Sequence, residues 1–255
     1  MASAKVLIPM ADYGHDPTET AIAYDIFKQA GFEVHFATET GNAPHCDDRM
    51  ISGISGKLLG AKQDAIAKYK EMIEEPAAKE PLAWSDPSFS LEQYSLVYFP
   101  GGHDKGVRQT IDSASLQKHV AEFFPQTRKP SQKTVAAVCH GVQTLSAATL
   151  SDGKSVLHDV TTTALPGAME SGVYWMTRPF LGDYYKTYGK GTDNVETIVR
   201  KKLDNPDKQY KNNLGPGPFV VEDQNYNYVS GRFPPDTAAL AQRAVELVKE
   251  TLSEK

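Results

Sequence analysis

The feature that most constrains this chain is its opening: an apolar run, a helix, then a second apolar run. Lys5-Val6-Leu7-Ile8-Pro9 has the continuous hydrophobicity of a strand buried on both faces. A turn is expected through Asp12-Tyr13-Gly14-His15-Asp16-Pro17, then a helix over 18–30 stopped by Gly31. Glu33-Val34-His35-Phe36-Ala37-Thr38 reads as the second strand. Strand, helix and strand at this spacing form a βαβ unit, which commits the chain to a parallel sheet with right-handed crossovers.

The rhythm resumes at Ser95-Leu96-Val97-Tyr98-Phe99-Pro100. A helix over 115–124 follows, and then Thr134-Val135-Ala136-Ala137-Val138, the most strand-like run in the chain. That run stops at Cys139-His140-Gly141, and a helix to about 148 is expected after it. Further strands are predicted at 156–163, 219–221 and 226–230. A last helix over 236–252 sets Leu240, Ala244, Leu247 and Val248 on one face, for packing on the sheet. Residues 41–92 break the pattern. Gly53, Gly56 and Gly60 suggest loop, a polar helix is expected over 61–75, and Pro76, Pro81 and Pro87 punctuate a long connection. The stretch is predicted to be a cap or lid inserted into one domain spanning 1–255, a doubly wound α/β fold.

Composition excludes several classes. The net charge of −5 over 255 residues is the wrong sign for a nucleic-acid binder. Arg200, Lys201 and Lys202 are flanked by Glu196 and Asp204, which suits a solvated face. No apolar run has the length of a membrane span, and residues 1–6 lack the layout of a signal peptide. With two cysteines, Cys46 and Cys139, a disulfide framework is not expected, and a reducing, cytoplasmic setting is.

In open α/β sheets, ligands bind beyond the carboxyl ends of the strands. Three features fall there: the turn leading to Glu19, the Gly101-Gly102-His103-Asp104 loop, and Cys139-His140-Gly141. A cysteine after such a strand is either an inert core residue or a nucleophile raised on a sharp strand-to-helix turn. In the second case the helix N-terminus favours its thiolate. Glu19 shares a helix face with Ile22, Ala23 and Ile26, so it is either a buried carboxylate with a partner or a capping one. His140 adjoins the cysteine, but neighbouring side chains generally point apart. His103 and His15 are further candidates. No histidine follows His158, so a nucleophile served by a distant C-terminal histidine is excluded. Gly101 and Gly102 suit either an oxyanion hole or a tight turn. His45-Cys46-Asp47-Asp48 holds metal-ligand types too crowded for a zinc site, and no metal or cofactor is expected.

Lys5 to Asp12, Pro17-Thr18-Glu19-Thr20-Ala21, Phe99-Pro100-Gly101-Gly102-His103, Ala136-Ala137-Val138-Cys139-His140-Gly141 and Gly231-Arg232-Phe233-Pro234 together resemble the ThiJ/PfpI superfamily, the class I glutamine-amidotransferase-like proteins. The resemblance implies a flavodoxin-like three-layer sandwich, a nucleophile elbow at Cys139, Glu19 hydrogen-bonded to its sulfur, His140 nearby, and a homodimer. Gly101, Gly102 and His103 would bind substrate or oxyanion. Members with a Cys-His pair and a long insertion include glutathione-independent glyoxalases of the glyoxalase III type, lyases that convert methylglyoxal to lactate. A small electrophilic carbonyl substrate is therefore expected. Other activities in the superfamily are oxidative-stress sensing through an oxidisable cysteine, chaperoning, deglycation and isonitrile hydration. Ala137 replaces the first glycine of the amidotransferase elbow, which argues against glutamine hydrolysis. An acidic third member of the Cys-His pair is open, with Asp159 and Glu222 as candidates.

Overall fold

The computed structural model describes residues 3–52 and 60–253. Gly53 and Gly56, read above as loop, lie outside the described residues. Strands β1 (Lys5–Pro9), β2 (Tyr13–His15), β3 (Glu33–Thr38), β4 (His45–Cys46), β5 (Leu82–Ala83), β6 (Leu96–Phe99), β7 (Thr134–Val138), β8 (Val220–Glu222) and β9 (Tyr228–Gly231) alternate with helices. The helices are α1 (Pro17–Gln29), α2 (Asp48–Ile51), α3 (Gln63–Glu74), α4 (Pro76–Lys79), α5 (Arg108–Asp112), α6 (Ala114–Phe123), α7 (His140–Ala147), α8 (Gly167–Leu181), α9 (Val195–Arg200), α10 (Pro206–Gln209) and α11 (Thr237–Ser253).

Seven strands form one sheet in the order β5-β3-β1-β6-β7-β9-β8. All neighbours in it run parallel except β8 against β9. The βαβ unit is as expected, with Leu7 opposite His35 and α1 crossing between. Helices α1, α3 and α11 pack together, while α5, α6 and α9 gather around α7, so the sheet lies between two helical layers. Strands β6 and β7 are buried at every position, which explains their unbroken hydrophobicity. Leu240, Ala244, Leu247 and Val248 of α11 are buried as their spacing predicted. Among the described residues no helix is long and apolar enough to cross a membrane.

The chain departs from the sequence reading at 156–163, where no strand forms. Ser155 Oγ accepts the Leu157 N–H (3.1 Å), and its carbonyl accepts from the His158 N–H and ring Nδ1. This local bonding turns the backbone, and Leu157 and Val160 bury from the turns instead of a sheet. The turn expected at 12–17 contains a short strand, β2, paired with β4. Within 41–92, β5 joins the edge of the main sheet beside β3, and α3 lies on α1.

After β3 the chain adds β5 outside it and only then crosses to the other side of β1 to enter β6, so the sheet's direction of travel reverses between β1 and β6. Such a reversal opens a crevice at the strands' carboxyl ends. The residues after β2, β6 and β7 converge there, and α7 starts unusually close to β6. A Cβ added at Gly141 would lie 2.0 Å from the Phe99 carbonyl oxygen and 2.9 Å from that of Pro100, both backbone atoms. Gly141→Ala should therefore destabilise the fold by roughly 3 kcal/mol or more, read as a fall in the urea midpoint. An unchanged midpoint would show that α7 can move off β6.

Candidate active site

Cys139 is the only non-glycine residue with positive φ among the described residues, at φ 56° and ψ −124°. An L-residue is strained in that region. Two backbone bonds hold it there: Cys139 N–H to the Gly231 carbonyl (3.3 Å) and Val142 N–H to the Cys139 carbonyl (3.2 Å). The thiol thus stands where the strand becomes a helix, with 1% of the residue exposed.

The turn brings His140 onto the sulfur, contrary to the expectation that adjacent side chains diverge. At a regular strand position they would; at this elbow the reversal of the backbone swings both to one side. His140 Nδ1 lies 3.4 Å from Sγ. Its Nε2 lies 2.9 Å from Thr187 Oγ1, and that hydroxyl also reaches the His103 carbonyl (3.3 Å). A hydroxyl has one hydrogen to give. Given to the carbonyl, it makes Nε2–H the donor to Thr187 and leaves Nδ1 bare toward the thiol. The partner of His140 Nε2 is therefore a neutral threonine and not a carboxylate. Asp159 instead accepts from the Tyr226 hydroxyl, and Glu222 pairs with Lys129 and Arg243. Nothing in the sequence marked Thr187: it lies within an aromatic stretch with no clear period, and only folding carries it to His140.

Glu19 projects from the first turn of α1 and is fully buried. Its Oε2 accepts the Gly101 N–H at 2.7 Å, so that donor is directed to Glu19 and not to a substrate oxygen. Burial raises the Glu19 pKa, helped by the charge of Asp16, while the Gly101 N–H and the Cys139 thiol oppose the rise. Asp16 caps α1, accepting the Thr18 and Glu19 N–H groups at 2.7 and 3.0 Å, yet burial still pushes it up to about 6. Burial likewise raises the Cys139 thiol, with Glu19 and Asp16 adding to it and the His140 N–H acting against it. The helix N-terminus alone would favour thiolate; enclosure beside carboxyl groups outweighs it. His140 is held low by burial, with His103 and Lys186 contributing. The resting centre is thus a protonated thiol facing a neutral imidazole.

A cavity of about 620 Å³ opens beside this centre, with Asp16, His103 and Glu170 in its wall. Cys139 and His140 lie behind that wall, where the His103 ring stands edge-on to His140 at 5.3 Å and to Tyr185 at 4.9 Å. Burial lowers His103 to about 4. Glu170 is paired with Lys186 (3.1 Å) and also accepts the Val195 N–H. Met50, Lys62, Asp64 and Ala65, from the stretch predicted to cap the site, line the same cavity. Gly102 (φ 147°) packs where a Cβ would lie 2.5 Å from the Gly14 carbonyl oxygen, locking this loop to β2. His15 sits apart, near the Tyr69 ring (5.7 Å). Cys46 is buried and its thiol is pushed up to about 12, chiefly by burial. Among the described residues no group of three His, Cys, Asp or Glu side chains is placed to hold a metal.

A family model described as ThiJ/PfpI family-like matches residues 10–216. An uncharacterised protein of Schizosaccharomyces pombe is 27% identical over 253 residues, covering 97% of this chain and 85% of that relative. In fold the chain is similar to the crystal structure of glyoxalase III from Candida albicans (TM-score 0.68, 19% identity, 96% of this chain and 97% of that one). It is also similar to the rapid encystment protein of Francisella tularensis (TM-score 0.68, 16% identity, 96% and 99%).

Two outcomes follow from the site. Cys139→Gly should be more stable than Cys139→Ala by about 1 kcal/mol, because glycine relieves the positive φ by more than its extra unfolded-state freedom costs. Equal urea midpoints would mean that the elbow is unstrained. His15 provides a pH test, since burial lowers it from 6.5 to about 3. The unfolded chain takes up that proton below about pH 6.5 while the folded chain does not, so acid favours unfolding through this window. Relative to His15→Gln, the wild type should lose about 1.4 kcal/mol per pH unit between those values. Parallel stability curves for the two proteins would contradict it.

Proposed function

The chain belongs to the ThiJ/PfpI-like family, and we propose that it is a cysteine-dependent enzyme of the glyoxalase III type, converting 2-oxoaldehydes such as methylglyoxal to 2-hydroxy acids without glutathione. The observation that carries this reading is the Cys139 thiol held 3.4 Å from His140 Nδ1, with Glu19 beside it. The shared fold with the Candida glyoxalase III supports it.

The chemistry follows from the proton positions. As Sγ attacks the aldehyde carbon, its proton passes to His140 Nδ1 and from there to the carbonyl oxygen, which becomes the hydroxyl of a hemithioacetal. Thr187, accepting from Nε2–H, steadies the imidazolium that forms. The N–H groups of Gly102 and His140 hold the oxygen while it is negative. A base then removes the proton on the former aldehyde carbon to give an enediol; Glu19 and His140 flank the sulfur for this step. Return of a proton to the neighbouring carbon leaves a thioester. Water hydrolyses the thioester, releasing lactate and restoring the S–H bond. The sum is methylglyoxal plus water to lactate, with no external oxidant or reductant.

Redox sensing is less well supported. A sensor thiol is accessible and low in pKa, whereas Cys139 is enclosed and raised.

Purified protein should form lactate from methylglyoxal in the absence of glutathione. Cys139→Ser should lower kcat at least about a thousandfold, and Glu19→Gln about a hundredfold or more. Thr187→Val should lower kcat roughly tenfold, the worth of one hydrogen bond, with Thr187→Ser restoring it. Absence of lactate from the folded wild type would rule the reading out.

A further inference from the structure

The cavity is much larger than methylglyoxal requires. At about 620 Å³ it falls among sites that enclose ligands of drug size, roughly 300–1,000 Å³. Its lining is mostly apolar, with Lys62 and Asp64 as charged members besides the residues next to the Cys139–His140 pair. Asp16, His103 and Glu170 stand at the end nearest Cys139, and Glu170 is already satisfied by Lys186 and the Val195 N–H. That end can therefore orient a carbonyl without demanding a charged substituent. Leu165, Met169 and Val173 also line it, the last two a helical turn apart on α8, as do Phe233 and Pro234 from the loop after β9. A three-carbon aldehyde would leave these surfaces uncovered.

Resting on the glyoxalase reading of Cys139, we propose that the preferred substrates are 2-oxoaldehydes bearing an apolar substituent, an alkyl chain or aryl ring of about six to ten carbons. The head group goes to Cys139 past His103, and the tail lies along Leu165, Met169 and Val173 against Phe233. Each methylene buried there adds about threefold to kcat/KM, so hexylglyoxal should exceed methylglyoxal by roughly two-hundredfold.

The test compares methylglyoxal, phenylglyoxal and hexylglyoxal in turnover by the wild type, Met169→Trp and Val173→Phe, two variants that fill the tail region. Alongside, calorimetry measures binding of 1-hydroxyoctan-2-one and of hydroxyacetone, unreactive analogues, to Cys139→Ser with and without each filling substitution. The proposal expects a long-tail preference in both measurements, reduced at least about tenfold by whichever filled variant folds. Turnover of methylglyoxal with no gain for the longer aldehydes, and no binding of hydroxyoctanone, would overturn the proposal and leave the glyoxalase reading intact. Tail-dependent binding that the filled variants abolish, without turnover of any aldehyde, would uphold the apolar-tail site and overturn the glyoxalase reading. Neither binding nor turnover would overturn both.

Discussion

The close approach of α7 to the end of β6 is the contact on which the rest of this centre depends. Gly141 lets the helix start against the Phe99 carbonyl, and Gly101 fits beneath it, where a Cβ would lie 2.6 Å from the His140 nitrogen and 3.1 Å from Glu19 Oε2. With no room for side chains at either position, the strand must turn sharply at Cys139, and the positive φ is the result. The same turn directs Sγ and the His140 ring to one side. Glu19, reaching from α1 to the Gly101 N–H, ties the third element to the other two. One steric constraint thus brings a thiol and an imidazole from one strand-to-helix turn together with a carboxyl from α1.

Burial sets the protonation of what has been assembled. Asp16, Glu19 and Cys139 all resist ionisation, because enclosure penalises each charge and each charge would penalise the others. His140 and His103 resist protonation for the same reason. Ionising the thiol therefore requires that a neighbour within the group take up its proton. The Lys186–Glu170 pair lies at the edge of this region and leaves its wall of the cavity electrically balanced. On the other side of the elbow, Arg232 is buried on Asp236 and also donates to the Gly217 carbonyl, fixing the loop that follows β9.

Legibility differed sharply along the chain. The strands at Lys5–Pro9, Glu33–Thr38 and Thr134–Val138 were readable because central parallel strands are apolar throughout, and α1 because Asp16, Pro17 and Gly31 bracket it. The segment 156–163 misled for the opposite reason. Its apolar residues mimic a strand, but Ser155 and His158 bond locally and bend the backbone. The aromatic stretch ending near Tyr188 has no simple period, since it spans part of α8 and the turns after it. Thr187 was hidden for that reason.

By itself, the sequence determined the parallel α/β sheet, the positions of its central strands, and the placing of Cys139, Glu19 and the Gly101-Gly102 loop at strand or helix ends. Those features are local: hydrophobic period, capping residues and glycine placement act within a few residues. Which groups meet was decided by tertiary structure alone. The contact between Sγ and Nδ1 depends on backbone strain at one residue, and the choice of Thr187 over Asp159 or Glu222 depends on where a turn many residues away comes to rest. The protonated state of the thiol is likewise tertiary, because desolvation is a property of everything packed around a group and not of its neighbours in the chain.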